Sequence, residues 1–416
     1  MEFKSFIEKY NNTNIVIKIF VGIILGISAA YIFPNATWLS VLGSLFVGAL
    51  KAIAPILVFI LVISSLANGV KKQESKFRTV IFLYILSTLI ASICAVVASF
   101  LFPQDLSLVS QSAEIQAAPH GIGDIINGLL IKIVVNPLSS LSEGNYLGIL
   151  FWSVISGIAL RDIASSNTKN ILQDFANGTS QIVSWIINFA PFGIFGLVYH
   201  AIIVNGTEMF SVYGKLILLL VGCMFFVYFV ANPIIIYLMI KRNPYPLVFK
   251  CFKESGITAF FTRSSAANIP VNMKLCEKLG LDIDLYSVSI PLGATINMSG
   301  AAITISVMTM AAVHTLGIPV PLSLALILSI LSAFAACGAS GIAGGSLLLI
   351  PMACSLFGIS NDIAMQVVGV GFVVGVIQDS LETALNSSSD VIFSAVADFY
   401  EQKKKLEKDI QNRLNG

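Results

Sequence analysis

Runs of about 20 apolar residues recur along this chain, and they restrict what it can fold into more than any other feature. A helix of that length crosses the hydrocarbon core of a bilayer, where every backbone polar group needs a partner within the protein. The first six apolar segments fall at about 15–33, 40–68, 79–102, 126–160, 178–203 and 213–240. Only 11% of the 416 residues carry a formal charge, whereas soluble domains devote about a quarter to charge. We therefore predict an all-α polytopic membrane protein.

The charged, cysteine and histidine residues argue against several functions. The net charge of +2 gives no reason to expect a nucleic-acid partner, and no glycine-rich nucleotide-binding motif is present. The six cysteines are scattered without a C-x-x-C pair, so neither a disulfide framework nor a metal cluster is indicated. The three histidines lie far apart in the sequence. We therefore expect no nucleotide, redox cofactor or resident metal.

Lysine and arginine orient the spans, because these residues concentrate on the cytoplasmic side of a membrane. The connections at 34–39, 103–125 and 204–212 contain neither residue. Cations instead follow the second, fourth and sixth segments and lie near the end of the sequence, as Lys71, Lys72, Lys76, Arg78, Arg161, Lys169, Lys241, Arg242, Lys250, Lys253, Lys403, Lys404, Lys405, Lys408 and Arg413. We therefore expect both termini to be cytoplasmic and the first segment to be an uncleaved span rather than a secretory signal.

Beyond residue 240 the simple alternation of spans ends. Residues 245–278 begin and end with cations around a polar middle, which predicts a re-entrant hairpin entered from the cytoplasm. The stretch 279–402 has no lysine or arginine at all. We expect it to hold a seventh span at about 283–313, a second hairpin opened from the outside at about 320–358, and an eighth span at about 362–398.

The two halves of this region resemble a weak internal repeat. Ile269-Pro270 recurs as Ile350-Pro351, and Leu279-Gly280 recurs as Phe357-Gly358. With the topology above, the two copies would be inverted. Inverted repeats with broken helices build midplane binding sites in secondary transporters. Chance matching of short proline and glycine pairs remains the alternative explanation.

Five polar residues lie on one face of the last predicted span: Asp379, Glu382, Thr383, Asn386 and Asp390. At 100° per residue they fall within an arc of about 100°. Each ionised carboxylate in mid-bilayer costs about 2.5–3.5 kcal/mol, so this face is expected to look into protein or a water-filled cavity. Two interpretations remain open: a site for cationic groups, or an interhelical seam of ion pairs with Arg263, Lys51 or Lys132.

A second polar cluster, Gly293 to Gly300, interrupts the seventh predicted span. Its exposed carbonyls and amides, together with the carboxylates of the last span, are hard ligands suited to Na⁺. The hairpin tips would present backbone N–H groups and serine hydroxyls that suit a carboxylate, while Asp379 suits an ammonium group. This complementarity indicates a zwitterion, an α-amino acid carried together with a cation.

Four motifs stand in the second half of the chain: Arg-Ser-Ser-x-x-x-x-Pro at 263–270, Gly-Ala-Thr-Ile-Asn-Met at 293–298, Gly-Ala-Ser-Gly-Ile-Ala-Gly at 338–344 and Asp-x-x-x-Thr-x-x-Asn-x-x-x-Asp at 379–390. Together they resemble the dicarboxylate/amino acid:cation symporter family, the glutamate transporter homologues. The resemblance implies eight transmembrane helices, two re-entrant hairpins and an elevator mechanism. It assigns 1–240 to scaffold and support, 241–400 to a transport core and 401–416 to a basic cytoplasmic tail.

The resemblance also implies binding residues. For the substrate they are Ser264, Ser265, Ile342, Gly344, Asp379, Glu382, Thr383 and Asn386. For a first sodium ion they are Gly293, Asn297, Asn386 and Asp390, and for a second they are Thr295 and Met298 with carbonyls near 336–339. For a third they are Ser87, Thr88, Asn297 and Ser299.

Departures from the family pattern narrow the expected substrate. Glu382 stands where members that carry acidic substrates have arginine, so an acidic substrate is expected to be repelled, which leaves small neutral amino acids such as serine and threonine. Ser299 replaces an aspartate, which predicts fewer coupled sodium ions than in glutamate transporters. A pairing of Arg263 with Glu382 across the edge of the pocket would offset the burial cost of both, and the sequence leaves open whether the two residues meet. The resemblance further implies a homotrimer in a bacterial inner membrane.

Two other classes of function compete with transport. A channel would line a continuous pore with the polar face, but two hairpins entered from opposite sides suit alternating access better. An intramembrane hydrolase would need Asp379 and Asp390 to share a proton. Eleven residues on one helix separate them by about 16 Å of rise, so we expect no enzymatic activity.

Overall fold

The computed structural model describes residues 15–68, 75–106, 108, 131, 133–206, 208–339 and 344–415. Within these ranges every regular element is helical, which confirms the predicted all-α class. In the first part of the chain the helices are α1 (Ile15–Ile32), α2 (Val41–Ala67), α3 (Ser75–Leu101), α4 (Pro137–Glu143), α5 (Tyr146–Ile163), α6 (Ser166–Asn188), α7 (Ala190–Asn205), α8 (Glu208–Phe226) and α9 (Asn232–Ile240).

In the second part most helices are shorter and more often interrupted, but the last one is the longest, with 55 residues. They are α10 (Tyr245–Cys251), α11 (Ile257–Thr262), α12 (Ser265–Lys278), α13 (Ile283–Ile296), α14 (Ser299–Thr315), α15 (Leu322–Ala336), α16 (Ile350–Ser355) and α17 (Asn361–Asn415). A π-helical turn joins α8 to α9, and another joins α10 to α11.

Five helical stretches of the described chain are long and apolar enough to cross a bilayer. They are Thr37–Ser64, Lys76–Leu101, Ser211–Ile240, Ile283–Thr315 and Asn361–Lys404. The pair α6 and α7 passes the same criterion together, and α1 is a shorter apolar helix. Several predicted spans therefore coincide with observed helices at the second, third, sixth, seventh and eighth positions.

Two predicted spans are not single continuous helices. The segment 178–203 is not one helix: α6 and α7 meet at a bend of 52°, where Pro191 lies in the first turn of α7. Proline has no N–H to continue the hydrogen-bond ladder of a preceding helix. In the described part of the segment 126–160, α4 and α5 are likewise separate, and Gly144 between them adopts a left-handed φ of 68°.

Two helical hairpins form the centre of the second half. The first hairpin, residues 245–278, turns at Arg263 and Ser264 between α11 and α12. The second hairpin, residues 322–355, runs from α15 through its tip and a 3₁₀ turn into α16. Each is followed by a glycine with positive φ, 70° at Gly280 and 73° at Gly358. These two glycines are the equivalent positions of the internal repeat inferred from the sequence.

The helices pack into two groups that do not follow the order of the chain. In one group α1 packs on α7, and α2 packs on α5, α6 and α7. In the other, α3 packs along α14, α15 and α17, and α8 packs against α17. Residue 240 therefore does not separate two packing units, because the third and sixth spans lie against the hairpin region.

An ion-pair cluster fixes the start of α3 to the hairpin region. Lys76 Nζ lies 2.6 Å from Asp282 Oδ2 and 2.8 Å from Asp398 Oδ1. The backbone N–H of Asp282 also donates to Asp398 Oδ2 at 3.1 Å. The neighbouring Lys76 ammonium lowers the pKa of Asp282 below its ordinary value of 3.8. This pair therefore stabilises the fold above that pH, and its contribution is lost as the pH falls through the lowered pKa.

We expect Lys76→Met to destabilise the protein substantially, because Asp398 is fully buried and would lose its counterion. Removing one partner of a buried pair costs about 3–5 kcal/mol, and the partial exposure of Lys76 favours the lower end. The apparent unfolding temperature in detergent should fall by several degrees. Lys278→Met, at the exposed pair with Glu254, is the matched control and should change it little. Equal shifts in both variants would contradict the prediction.

Candidate functional site

The seventh span is broken at Asn297 and Met298, between α13 and α14. Their backbone angles, φ −91° and ψ 77° at Asn297 and φ −119° and ψ 48° at Met298, lie outside the helical region. Pro291 and Gly293 weaken α13 just before the break. Irregular backbone at this depth is tolerated only where protein or a water-filled cavity surrounds it. Accordingly, 94% of an apolar 18-residue stretch of this span is buried.

Asp390 on α17 faces this break. It is fully buried, and Asn297 Nδ2 donates to its Oδ1 at 2.8 Å. Gly293 lies opposite, where a Cβ atom would come within 2.5 Å of Asp390 Oδ1, so that no side chain fits. The backbone carbonyl of Asn386 accepts a second hydrogen bond from Asn297 Nδ2 at 3.2 Å. The structure thus brings together all four residues assigned to the first sodium ion.

Two buried oxygens in this cluster have no hydrogen-bond partner in the described part of the chain: Asp390 Oδ2 and Asn297 Oδ1. An unsatisfied buried polar atom is costly, and more so when it carries charge. Among the described residues Asp390 also has no ion-pair partner. A bound cation would satisfy both oxygens and balance the charge. No group of three or more His, Cys, Asp or Glu lies together in the described chain, so the oxygen donors favour a hard cation over a transition metal.

The residues assigned to a second sodium ion lie around the same break. The Thr295 hydroxyl donates to Leu292 O at 2.7 Å, and Met298 Sδ accepts from Asn386 Nδ2 at 3.4 Å. Cys337 Sγ, at the start of the tip of the second hairpin, is 3.5 Å from Ile296 O. The hairpin tip and the broken span are therefore in contact here.

Of the residues assigned to a third sodium ion, Ser87 and Ser299 bond each other, whereas Thr88 and Asn297 bond other groups. Ser87 Oγ is 3.0 Å from Ser299 Oγ and donates to Asn232 Oδ1 at 2.8 Å. The Thr88 hydroxyl donates to Tyr84 O of its own helix at 2.8 Å. Asn297, the fourth assigned residue, directs its amide to Asp390 instead. Ser87 and Ser299 meet without a carboxylate between them.

Two residues near these cation positions were missed in the sequence. Tyr84 on α3 is fully buried, and its hydroxyl lies within hydrogen-bond distance of two carbonyl oxygens, Ser289 O at 3.1 Å and Asp390 O at 3.3 Å. Asn232, at the start of α9, accepts from Ser87. A tyrosine or an asparagine in an apolar span was the available signal, but its neighbours come from distant parts of the chain.

Asp379 connects the tips of both hairpins. Its Oδ2 lies 2.6 Å from Nε and from Nη2 of Arg263 in the first hairpin. Its Oδ1 accepts the backbone N–H of Gly344 in the second hairpin at 3.0 Å. Both charged side chains are almost completely buried, and Arg263 adopts a left-handed φ of 52°. Arg263 Nη1 has no partner in the described part of the chain.

The other residues assigned to the substrate lie near this pair. Ser264 caps α12 by accepting the N–H of Ala267 at 3.2 Å, and Ser265 follows it as a buried residue. The Thr383 hydroxyl donates to Asp379 O at 2.8 Å. Asn386 Oδ1 accepts the N–H of Gly300 at 2.7 Å. One further assigned residue, Ile342, lies outside the described residues.

The pairing of Arg263 with Glu382, which the sequence left open, is not observed, because Arg263 pairs with Asp379. Glu382 Oε2 instead accepts hydrogen bonds from Thr304 Oγ at 2.8 Å and from Ser346 Oγ at 2.9 Å. Gln378 Nε2, one turn earlier on α17, also donates to it. The two carboxylates have different neighbours on α17. Glu382 faces α14 and the second hairpin, whereas Asp379 faces the first hairpin, where Arg263 lies, as well as the second.

The polar face of the last span is therefore only partly an ion-pair seam. Asp379 has the arginine partner that a seam requires. Glu382 and Asp390 have no cationic partner among the described residues. The binding interpretation fits Asp390 better, since its free oxygen lies beside that of Asn297.

The fold and the site define a class of protein: a multi-pass membrane protein whose broken helices and paired hairpins enclose buried carboxylates near an unwound span. The model of the sodium:dicarboxylate symporter family matches residues 12–399. The chain belongs to this family, which confirms the resemblance inferred from the four motifs.

Individual relatives are similar along nearly their whole length. The chain is 57% identical over 391 residues to the serine/threonine transporter SstT of Bifidobacterium adolescentis, covering 94% of this chain and 91% of the relative. It is 57% identical over 401 residues to the serine/threonine transporter SstT of Streptococcus thermophilus, covering 96% and 100%. The transporter of the same name from Streptococcus agalactiae is 57% identical over 395 residues, covering 95% and 98%.

Proposed function

We propose that this protein imports serine and threonine by symport with Na⁺. The observation that carries the proposal is the pair of unpartnered buried oxygens on Asp390 and Asn297. Asp379, on the same helix as Asp390, contacts both hairpins. A cation and a zwitterion can bind to such a site next to each other. The names of the similar transporters and of the family support the same substrate and coupling ion.

Asp379 receives the substrate ammonium in this proposal. The substrate ammonium binds to the Asp379 carboxylate, next to the Arg263 guanidinium that already contacts it. Nη1 of Arg263 is a buried donor without a partner in the described chain. That donor and the serine hydroxyls at the tip of the first hairpin are available to the substrate carboxylate. Glu382 opposes an acidic substrate by its negative charge, and its Oε2 accepts hydrogen bonds from Thr304 and Ser346.

Asp390 and Asn297 hold the first Na⁺, with the Gly293 carbonyl and Asn386 beside them. Thr295 and Met298 contribute to a second. We infer a low sodium stoichiometry, because Ser87, Asn232 and Ser299 satisfy one another without any formal charge to compensate. The second hairpin covers the site after the substrate and Na⁺ have bound. Binding of both ligands is therefore coupled to closure of the hairpin.

Transport follows the elevator scheme that the family resemblance implies. The hairpins with α13, α14 and α17 form the moving core, and α3 and α8 accompany it because they pack along it. We further propose a homotrimer in a bacterial inner membrane with both termini cytoplasmic. Large apolar side chains exposed along α6 are available for a neighbouring subunit or lipid, namely Ile171, Phe175, Ile182 and Trp185.

Uptake of labelled serine into proteoliposomes tests the proposal. We expect saturable uptake that requires an inward Na⁺ gradient and is inhibited by threonine but not by aspartate. Uptake that is independent of Na⁺ would refute symport, and strong inhibition by aspartate would refute the selectivity assigned to Glu382. Flux that does not saturate would favour a channel instead.

A further inference from the structure

We propose that Glu382 is a positioning residue that holds the second hairpin closed against α17, with Ser346 as the residue that it holds. The inference rests on the proposed function, since it requires the second hairpin to cover a substrate site. The family resemblance assigned Glu382 to the substrate site. Here its main role is to hold the hairpin rather than to contact the substrate.

The first observation is where the hydrogen bonds of Glu382 lead. Ser346 is the first residue of the 3₁₀ turn that opens the second arm of the hairpin, and its hydroxyl lies 2.9 Å from Glu382 Oε2. Both residues are at least 95% buried. A hydrogen bond to a buried carboxylate is stronger than one between neutral groups. Opening the hairpin must break this bond and expose the carboxylate.

The second observation is that other parts of the core fix the orientation of Glu382. Thr304 on α14 donates to the same oxygen at 2.8 Å, and Gln378 donates from one turn earlier on α17. Gln378 Nε2 also bonds Thr304 Oγ at 2.6 Å. The carboxylate is therefore held in place from two helices that do not belong to the hairpin, which is the condition for an anchor.

The third observation is the contrast between the two hairpins. In the first hairpin, Asn268 and Asn272 bond both to the opposite arm at Ser255 and to α17 at Ser387, and all four residues are fully buried. This network ties the arms to each other and to the core.

Among the described residues, the second hairpin has fewer hydrogen bonds to α17 than the first. Among its described residues the hydrogen bonds to that helix are those of Gly344 with Asp379 and of Ser346 with Glu382. Its other buried contacts, through residues such as Leu347 and Leu348, are apolar and not directional. The described hydrogen bonds between this hairpin and α17 therefore end on two carboxylates that lie three residues apart on that helix.

Hydrogen exchange of the peptides covering residues 344–355 tests the anchor without depending on transport. Ser346→Ala should raise their exchange rate about tenfold, the factor expected from losing one hydrogen bond to a charged group. Ser329→Ala is the matched control, because Ser329 is a buried serine of the same hairpin whose hydroxyl, within the described part of the chain, donates to Ala325 O of its own helix. Unchanged exchange in Ser346→Ala would overturn the proposal.

A second variant separates anchoring from local damage to the hairpin. Thr304→Val is nearly isosteric and lies on α14, yet it removes a donor that orients Glu382. It should also accelerate exchange of residues 344–355, although less than Ser346→Ala does. If exchange rises only around residue 304 and not in the hairpin, Glu382 does not act as an anchor.

The kinetic test distinguishes this role from a catalytic or purely structural one. In Ser346→Ala the half-saturating serine concentration should rise about tenfold while the maximal rate changes less than twofold, because closure over the substrate is weakened. Glu382→Gln should change the half-saturating serine concentration much less in the Ser346→Ala background than in the wild type. Fully additive effects of the two substitutions would overturn the inference. Absence of Na⁺-driven uptake in the wild type would refute the proposed function, while the exchange result would still decide the anchor.

Discussion

Replacing Asp379 with asparagine is expected to reduce serine transport at least a hundredfold. The substitution removes the charge that meets the substrate ammonium, and it leaves the buried Arg263 guanidinium without its counterion. Breaking a buried pair from one side costs about 3–5 kcal/mol of folding stability, which corresponds to roughly two to three and a half decades in the folding equilibrium constant. The measurements are labelled serine uptake and serine binding to the purified protein.

A double variant separates the two consequences of losing Asp379. Arg263→Gln combined with Asp379→Asn removes both buried charges, so the thermal stability lost in the single variant should largely return. Transport should not return, because the ammonium still lacks a partner. Recovery of transport in the double variant would show that Asp379 serves only as the counterion of Arg263, and the substrate assignment would then be incorrect.

The second large effect is expected from Asp390→Asn, which should raise the half-saturating Na⁺ concentration at least tenfold. The change removes the formal charge beside the two unpartnered oxygens and leaves an amide in its place. The fold should survive, since an amide at position 390 can still accept from Asn297 Nδ2 and its buried charge had no ion pair among the described residues. Serine uptake measured against external Na⁺ provides the comparison.

Asp105→Asn is a suitable control for this variant. It makes the same chemical change at an exposed aspartate, which lies 2.9 Å from His314 at the surface. We expect its sodium dependence to match that of the wild type. If Asp390→Asn also retains the wild-type sodium dependence, the first sodium site does not lie between α13 and α17.

The composition of the last span was sufficient to predict a polar buried face. Asp379, Glu382, Thr383, Asn386 and Asp390 are all at least 94% buried on α17. Helical periodicity is a local property, because the angle between two side chains depends only on the number of residues between them. The interruption at Asn297 was also visible in the sequence, since glycine, proline and asparagine weaken a helix wherever they occur.

The partners of these residues could not be predicted in the same way. Arg263 and Asp379 are 116 residues apart, and Glu382 was an equally reasonable partner for the arginine on sequence alone. Ser346 and Thr304 carried no sequence signal that connected them to Glu382. The bend between α6 and α7 was missed because the apolar run continues through it, although Pro191 marked the position.

The sequence by itself determined that this is an all-α membrane protein of the sodium:dicarboxylate symporter family, with no lysine or arginine in the stretch 279–402 that carries the carboxylates of the last span. Hydropathy, charge distribution and motif spacing are carried by the chain and do not depend on how it packs. Only the tertiary structure decided which carboxylate meets the arginine, which faces the broken span and which holds the second hairpin. Those choices depend on distances between helices far apart in sequence, where a turn of one helix moves a carboxylate from one neighbour to another.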